Sequence, residues 1–276
     1  MMKNKKIAKS ISKSILIYLL GIIFLIPIIW VFSLSLRSNK DALAAMFFTK
    51  DIHFENYVKA WQTFGFARLY LNSLAVTLLS VFVTLVIAAL AAYSFSRLRY
   101  KGSNIVFYTI LLGIMIPPAA VIIPLFIIME NLHLYNTLFS LVFSYIAFGL
   151  PIATLILRGF FMTIPVELTE AARIDGSTEI GTFFKIIIPL SKPAIATVTI
   201  FLFMQNWNEF LLGLVLLKDK ILFTLPVGVA IFVGQWDSPW ELVAAGVIIT
   251  SIPIFVVYLI IQDQFVKGLT AGAVKG

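Results

Sequence analysis

The chain has 276 residues, 61% of them hydrophobic and 12% charged, too little polar surface for a water-soluble globule of this size. It is expected to be an integral membrane protein. The formal charge of +8 lies beside hydrophobic runs, where basic residues set topology and meet lipid headgroups, so nucleic acid is not an expected partner. Without cysteine, a disulfide scaffold, a thiol nucleophile and Cys-based metal sites are excluded.

Residues 1–13 carry Lys3, Lys5, Lys6, Lys9 and Lys13. The uncharged run that follows, 14–36, exceeds the roughly 7–15 residues of a signal-peptide core and reads as a retained first span behind a cytoplasmic N-terminus. Further uncharged runs at 69–96, 102–129 and 134–157 are each long enough to cross about 30 Å of hydrocarbon as a helix. After a hydrophilic stretch at 165–192 come two more, 193–217, interrupted only by Glu209, and 242–262. The fold class is therefore all-α, a polytopic membrane protein with six transmembrane helices between 14 and 262 and a cytoplasmic C-terminal tail at 263–276. The run Ile221–Trp236 is uncharged but short, broken by Pro226, Gly228 and Gly234, and is not expected to span.

Six spans put 14 of the 21 lysines and arginines inside and 7 outside, whereas a seventh would expel Lys267 and Lys275. Both termini and the 165–192 stretch are then cytoplasmic. The first outer segment, roughly Arg37 to Arg68, mixes Phe54, Tyr57, Trp61, Phe64 and Phe66 with polar residues. It suits a helix on the membrane surface, as an aromatic anchor or as a contact for an outer partner. Gly113, Pro117, Pro118, Pro124, Gly149, Pro151 and Pro253 mark expected kinks.

Catalysis in the membrane would require a nucleophile with its base, a metal cluster or paired carboxylates. Only Glu209 lies in a predicted span, and His53 and His133 fall outside. No G-x-x-x-x-G-K-[ST] phosphate loop occurs, so the chain does not hydrolyse ATP by that route. An ion-driven transporter would need several intramembrane charges where this chain has one. The densest polar patch in a span is Gln205 to Phe210. Within it Asn206, Trp207, Asn208 and Glu209 form a candidate substrate pathway, because amides meet sugar hydroxyls while an indole covers the apolar face of a pyranose. Hydrogen bonding between helices is the competing reading.

The 165–192 stretch reads as two short helices joined at Asp175-Gly176, with Pro165 tolerated in a first helical turn and Gly176 free to end a helix. Glu170 and Arg173 stand three apart on one face, and Ala171 and Ala172 allow close approach. Glu170-Ala171-Ala172, Gly176, Ile186 and Pro189 resemble, at their spacing, the EAA loop of ATP-binding-cassette importer permeases. Ile188 stands where leucine is usual, a volume-conserving swap. The string Glu170 to Ser177, the cluster Trp207 to Phe210, the tail Gly268 to Gly276, Asn72-Ser73-Leu74 and Ala91 to Arg97 are similar to the carbohydrate-uptake group, in its maltose-permease G-like branch.

That resemblance implies a cytoplasmic coupling-helix elbow seated in a cleft of a separate ATPase, with Glu170, Ala171, Ala172, Asp175 and Gly176 forming the contact. It implies a transport subunit rather than an enzyme, multi-pass in a bacterial or archaeal cell membrane. The implied partners are a sister permease, two ATP-binding-cassette subunits and an extracytoplasmic solute-binding protein. Together they would import a sugar by alternating access, with ATP and Mg bound by the ATPase and no cofactor in this chain. Import of a non-sugar solute and ion-driven transport are the alternatives.

Overall fold

The computed structural model describes residues 2–42, 51–98, 100–233 and 239–273. Among the described residues every regular element is helical. Backbone groups in hydrocarbon have no water to bond, so apolar runs of this length close their hydrogen bonds within a helix. Four helices are long and apolar enough to cross a membrane, at Lys13–Ser35, Phe66–Arg97, Leu138–Phe161 and Trp240–Ile260. The number rises to six if each of two bent helix pairs is one span. Lys50, Arg99 and Lys275 of the charge balance lie outside the described residues.

In chain order, α1 (Met2–Ser35), α2 (Glu55–Thr63) and α3 (Phe66–Arg97) come first. The run expected as the third span is broken rather than kinked. Its first half holds α4 (Ser103–Leu111) and its second α5 (Ile122–Asn131), and the halves Ser103–Met115 and Pro118–Asn131 meet at 91°. Pro118 has no N–H to donate, and it drives Pro117 to φ −69°, ψ 134°, outside the helical region. The unbroken α6 (Leu138–Phe161) follows, then α7 (Val166–Ile174).

The fifth span differs most from expectation. It starts with α8 (Glu179–Thr182), passes through a π-helical turn at Phe183–Ile187 into α9 (Ile188–Leu190), and bends by 77° into α10 (Lys192–Trp207). The bend falls at Ser191, between Pro189 and Pro193. Instead of running to residue 217, the helix stops at Trp207 and resumes as α11 (Leu211–Leu216). The nine residues of α12 (Leu225–Val233) reach about 14 Å, too short to cross; Gly234 and Trp236 of that stretch lie outside the described residues. The last helix, α13 (Trp240–Ala273), continues through most of the expected tail.

The chain divides into two units, Met1–Phe66 with Val229–Ser251, and Ala67–Gly228 with Ile252–Gly276. In the first, α1 is exposed along residues 13–30 and is covered near its C-terminal end, where Ser33, Leu34 and Ser35 are buried. That end is held: Asn56 Nδ2 donates to the Ser35 and Arg37 carbonyls at 3.0 and 2.8 Å, and the Ser35 and Tyr57 hydroxyls meet at 2.7 Å. Two of the outer aromatics prove to be core rather than anchors. Phe66 is fully buried and Phe64 nearly so, their rings 5.6 Å apart, and Phe66 stacks on Trp61 at 6.0 Å. Gly246 leaves room for them, since a Cβ there would lie 3.0 Å from Phe66 Cζ.

In the second unit α6 packs along α10, and Gly149 lets Leu202 and Thr84 approach. The ends of the helices are tied by side chains that replace missing backbone partners. Asn72 Nδ2 donates to the Ile221 and Phe223 carbonyls at 3.0 Å each, and Leu225 N donates to Ser73 Oγ at 2.8 Å. Asn136 Oδ1 accepts from Lys218 N and Asp219 N at 2.9 and 3.0 Å. Gly228 sits so near the buried Leu69 that an added Cβ would collide with its Cδ1. Gly228→Ala should destabilise the fold by roughly 1–3 kcal/mol through overpacking, read as a lower unfolding temperature in detergent.

Candidate functional site

Two places carry the residues that the sequence singles out. At the first, the elbow, α7 ends in a Schellman turn. Ser177 N donates to Ala172 O at 2.9 Å and Gly176 N to Arg173 O at 3.1 Å, closed by Gly176 at φ +81°. Thr178 starts the next helix, its Oγ1 accepting from Gly181 N at 3.1 Å. Helix, turn and helix thus follow within a few residues.

Glu170, Ala171, Asp175 and Gly176 are exposed together, whereas Ala172 is buried in its own chain. The two alanines therefore divide the work: Ala171 leaves the outer face without bulk, and Ala172 lets α7 lie close to its own bundle. Beside them Ile174 and Ile180 are 86% and 72% exposed, an apolar rim on a hydrophilic loop. Sequence reasoning passed over this pair, although two isoleucines in a polar segment were a visible signal. Arg173 does not pair with Glu170. Its Nε donates to Glu179 Oε1 at 2.7 Å, which holds the guanidinium pKa above its usual value. A groove of about 400 Å³ runs alongside, lined in part by Arg97, Thr169, Glu170 and Arg173.

At the second place, the break in the fifth span, the polar cluster separates by direction. Asn206 is buried and donates from Nδ2 to Ser80 Oγ on α3 at 2.9 Å. Trp207, 2% exposed, stacks on Phe203 at 5.5 Å and meets Tyr70 edge-on at 5.8 Å. Glu209 caps α11, its Oε1 accepting from Leu212 N at 2.6 Å and its Oε2 from Gly213 N at 3.1 Å. Tyr145 on α6 donates its hydroxyl to the same Oε2 at 3.0 Å. Only Asn208 of the four named residues is exposed, with Nδ2 bonded to Met204 O at 2.8 Å, and Gln205 is exposed one turn away.

An all-α fold with four to six membrane-length apolar segments and a small-residue elbow is that of a polytopic membrane protein. The chain belongs to the family of binding-protein-dependent transport system inner membrane components, whose model matches residues 84–271. Curated relatives agree along nearly the whole length. It is 37% identical over 254 residues to the trehalose transport system permease protein SugB of Mycobacterium tuberculosis, covering 91% of this chain and 93% of that one. To the trehalose/maltose transport system permease protein MalG of Thermococcus litoralis it is 35% identical over 276 residues, 99% of each chain. Among solved structures, a chain of a bacterial ABC transporter involved in the import of the acidic polysaccharide alginate superposes with a TM-score of 0.81 at 26% identity, over 94% of this chain and 96% of that one. The family is a transport component, with ATP hydrolysis residing in a separate subunit.

Proposed function

We propose that this chain is the permease subunit of an ATP-driven, binding-protein-dependent importer of sugars, oligosaccharides or related carbohydrates. The observation that carries this reading is the elbow: a Schellman-closed turn with Glu170, Ala171, Asp175 and Gly176 outward and an isoleucine on either side. Such a surface is shaped for a cleft in another protein. Ala172 supports it from within. In this reading the rest of the assembly is a sister permease, two ATP-binding cassettes that bind ATP and Mg, and an extracytoplasmic binding protein that delivers the sugar; the family description and the relatives' names support a binding-protein-dependent sugar transporter. Both termini would lie in the cytoplasm of a bacterial or archaeal cell.

In this reading the pathway face belongs to Asn208 with Gln205, and Asn206, Trp207 and Glu209 shape it from behind. Glu209 has both oxygens occupied by three donors, which fits a structural carboxylate better than an ion-carrying one.

The test is uptake by proteoliposomes containing the chain, its sister permease, the cassettes and the binding protein, with labelled trehalose and maltose as probes. Uptake should require internal ATP and the binding protein and ignore an imposed proton or sodium gradient. Uptake that followed such a gradient without ATP would return the chain to the ion-driven class.

A further inference from the structure

One carboxylate fastens the elbow to α3. Glu179, the first residue of α8, accepts from Arg173 Nε at Oε1 and from Tyr93 Oη at Oε2, each at 2.7 Å. Arg173 lies in the last turn of α7, so the side chain bridges the Gly176 turn. Tyr93 lies one turn before the end of α3, 5% exposed, with its ring tilted against Phe183 at 5.3 Å. A turn further along α3, Arg97 donates to the carbonyls of Phe161 and Ile164, just ahead of α7. The end of α3 therefore grips both the segment entering the elbow and the helix leaving it.

An exposed Arg–Glu pair alone contributes little. Here the carboxylate is shared with a buried hydroxyl, and removing it would leave Tyr93 without an acceptor in a desolvated place. The pair at the surface thus has a leg inside the bundle. The elbow's helices are also joined through the Gly176 turn, where the glycine brings no side chain to brace it. Without a second fastening, a push on α7 would be lost there instead of reaching the span.

We propose that Tyr93 and Glu179 are positioning residues of the transport cycle, forming with Arg173 a relay that carries displacement of the elbow into α3. The proposal rests on the elbow being the ATPase contact, and it concerns residues outside that contact. Closing cassettes would do work on α3 through the relay. Cutting it removes that load, so ATP turnover rises; a loss of folding or assembly would lower it. The sign separates the two.

The experiment uses the assembled complex in lipid nanodiscs with Mg-ATP and no sugar. Tyr93→Phe and Glu179→Ala should each raise ATP turnover, by roughly fivefold, the scale of a mutation within a coupling network. The double variant should match Glu179→Ala alone, because both cut one link. Glu179→Gln, which keeps an acceptor oxygen, should return turnover toward the unaltered level. A disulfide from Ala171→Cys to a cysteine in the cassette cleft should form equally in every variant. Unchanged turnover, or additive effects with the cross-link intact, would overturn the relay. Should Glu179→Ala fail to assemble, Tyr93→Phe decides alone, since it removes a single oxygen and keeps the packing. A cross-link missing from the otherwise unaltered complex would instead overturn the elbow reading, and the relay with it.

Discussion

Glu209→Ala should be among the most destabilising single changes in this chain, costing about 3–5 kcal/mol. Three donors converge on that carboxylate, from Leu212 N, Gly213 N and Tyr145 Oη. Each loses its acceptor inside a membrane bundle, and an unsatisfied buried donor costs about 1–3 kcal/mol, with partial relaxation keeping the total below a simple sum. The start of α11 would fray, freeing the contact where Gly213 approaches Val227 and Thr224. Thermal unfolding in detergent should drop by roughly 10 °C on the scaling for domains of this size. Glu209→Gln keeps one acceptor oxygen and should lose only about 1–2 kcal/mol. A side chain that served to carry a proton or touch a sugar would give another pattern: transport lost in both variants, with unfolding temperature unmoved in either. The ordering alanine well below glutamine in stability is what the capping role demands.

How far the sequence reached is seen best at this residue. A lone carboxylate in a hydrophobic run announces that it must find partners, but which partners depends on α6 lying beside α10, a long-range contact that no local pattern encodes. The same reason explains Asn206 and Trp207. Their chemistry suits sugar binding, yet the helix turns them toward Ser80, Phe203 and Tyr70, and only Asn208 faces out. Composition shows that a group is polar; facing is a tertiary property.

The elbow was more legible because its determinants are local. Pro165 and Asp175-Gly176 are backbone instructions, and the turn that they specify is the one formed. Even there the partner of Arg173 was not legible, since Glu179 comes within reach only once the turn has brought α8 back beside α7. The prolines at 117 and 118 signalled a disturbance. That it became a 91° break rather than a kink follows from two adjacent residues without N–H, which leave the helix no ladder to continue. For the fifth span, hydropathy alone joined α10 to α11 across Asn208–Phe210, because a capped break costs no apolar length.

The second large effect is expected at Gly176. Its φ of +81° lies in the left-handed region, and nothing stands within 4 Å of where a Cβ would be. The obstacle to a side chain is therefore the backbone, at about 1–2 kcal/mol for an ordinary residue and more for a β-branched one. Valine should relieve that strain by moving to negative φ. The move breaks the Ser177 N to Ala172 O bond and turns α8 away from its present line after α7. Asparagine tolerates left-handed backbone and has the same open space, so it should be accepted. The chain should remain folded in both variants, because the turn is exposed.

The central claim is that this turn couples a separate ATPase to movement of the spans. Its most direct test is the number of sugar molecules taken up per ATP hydrolysed by the reconstituted importer, measured with the probe sugar that the unaltered complex transports. The ratio should stay within about twofold for Gly176→Asn and fall at least about tenfold for Gly176→Val, with ATP still hydrolysed. A Gly176→Val complex that imports sugar at the unaltered ratio would contradict the account.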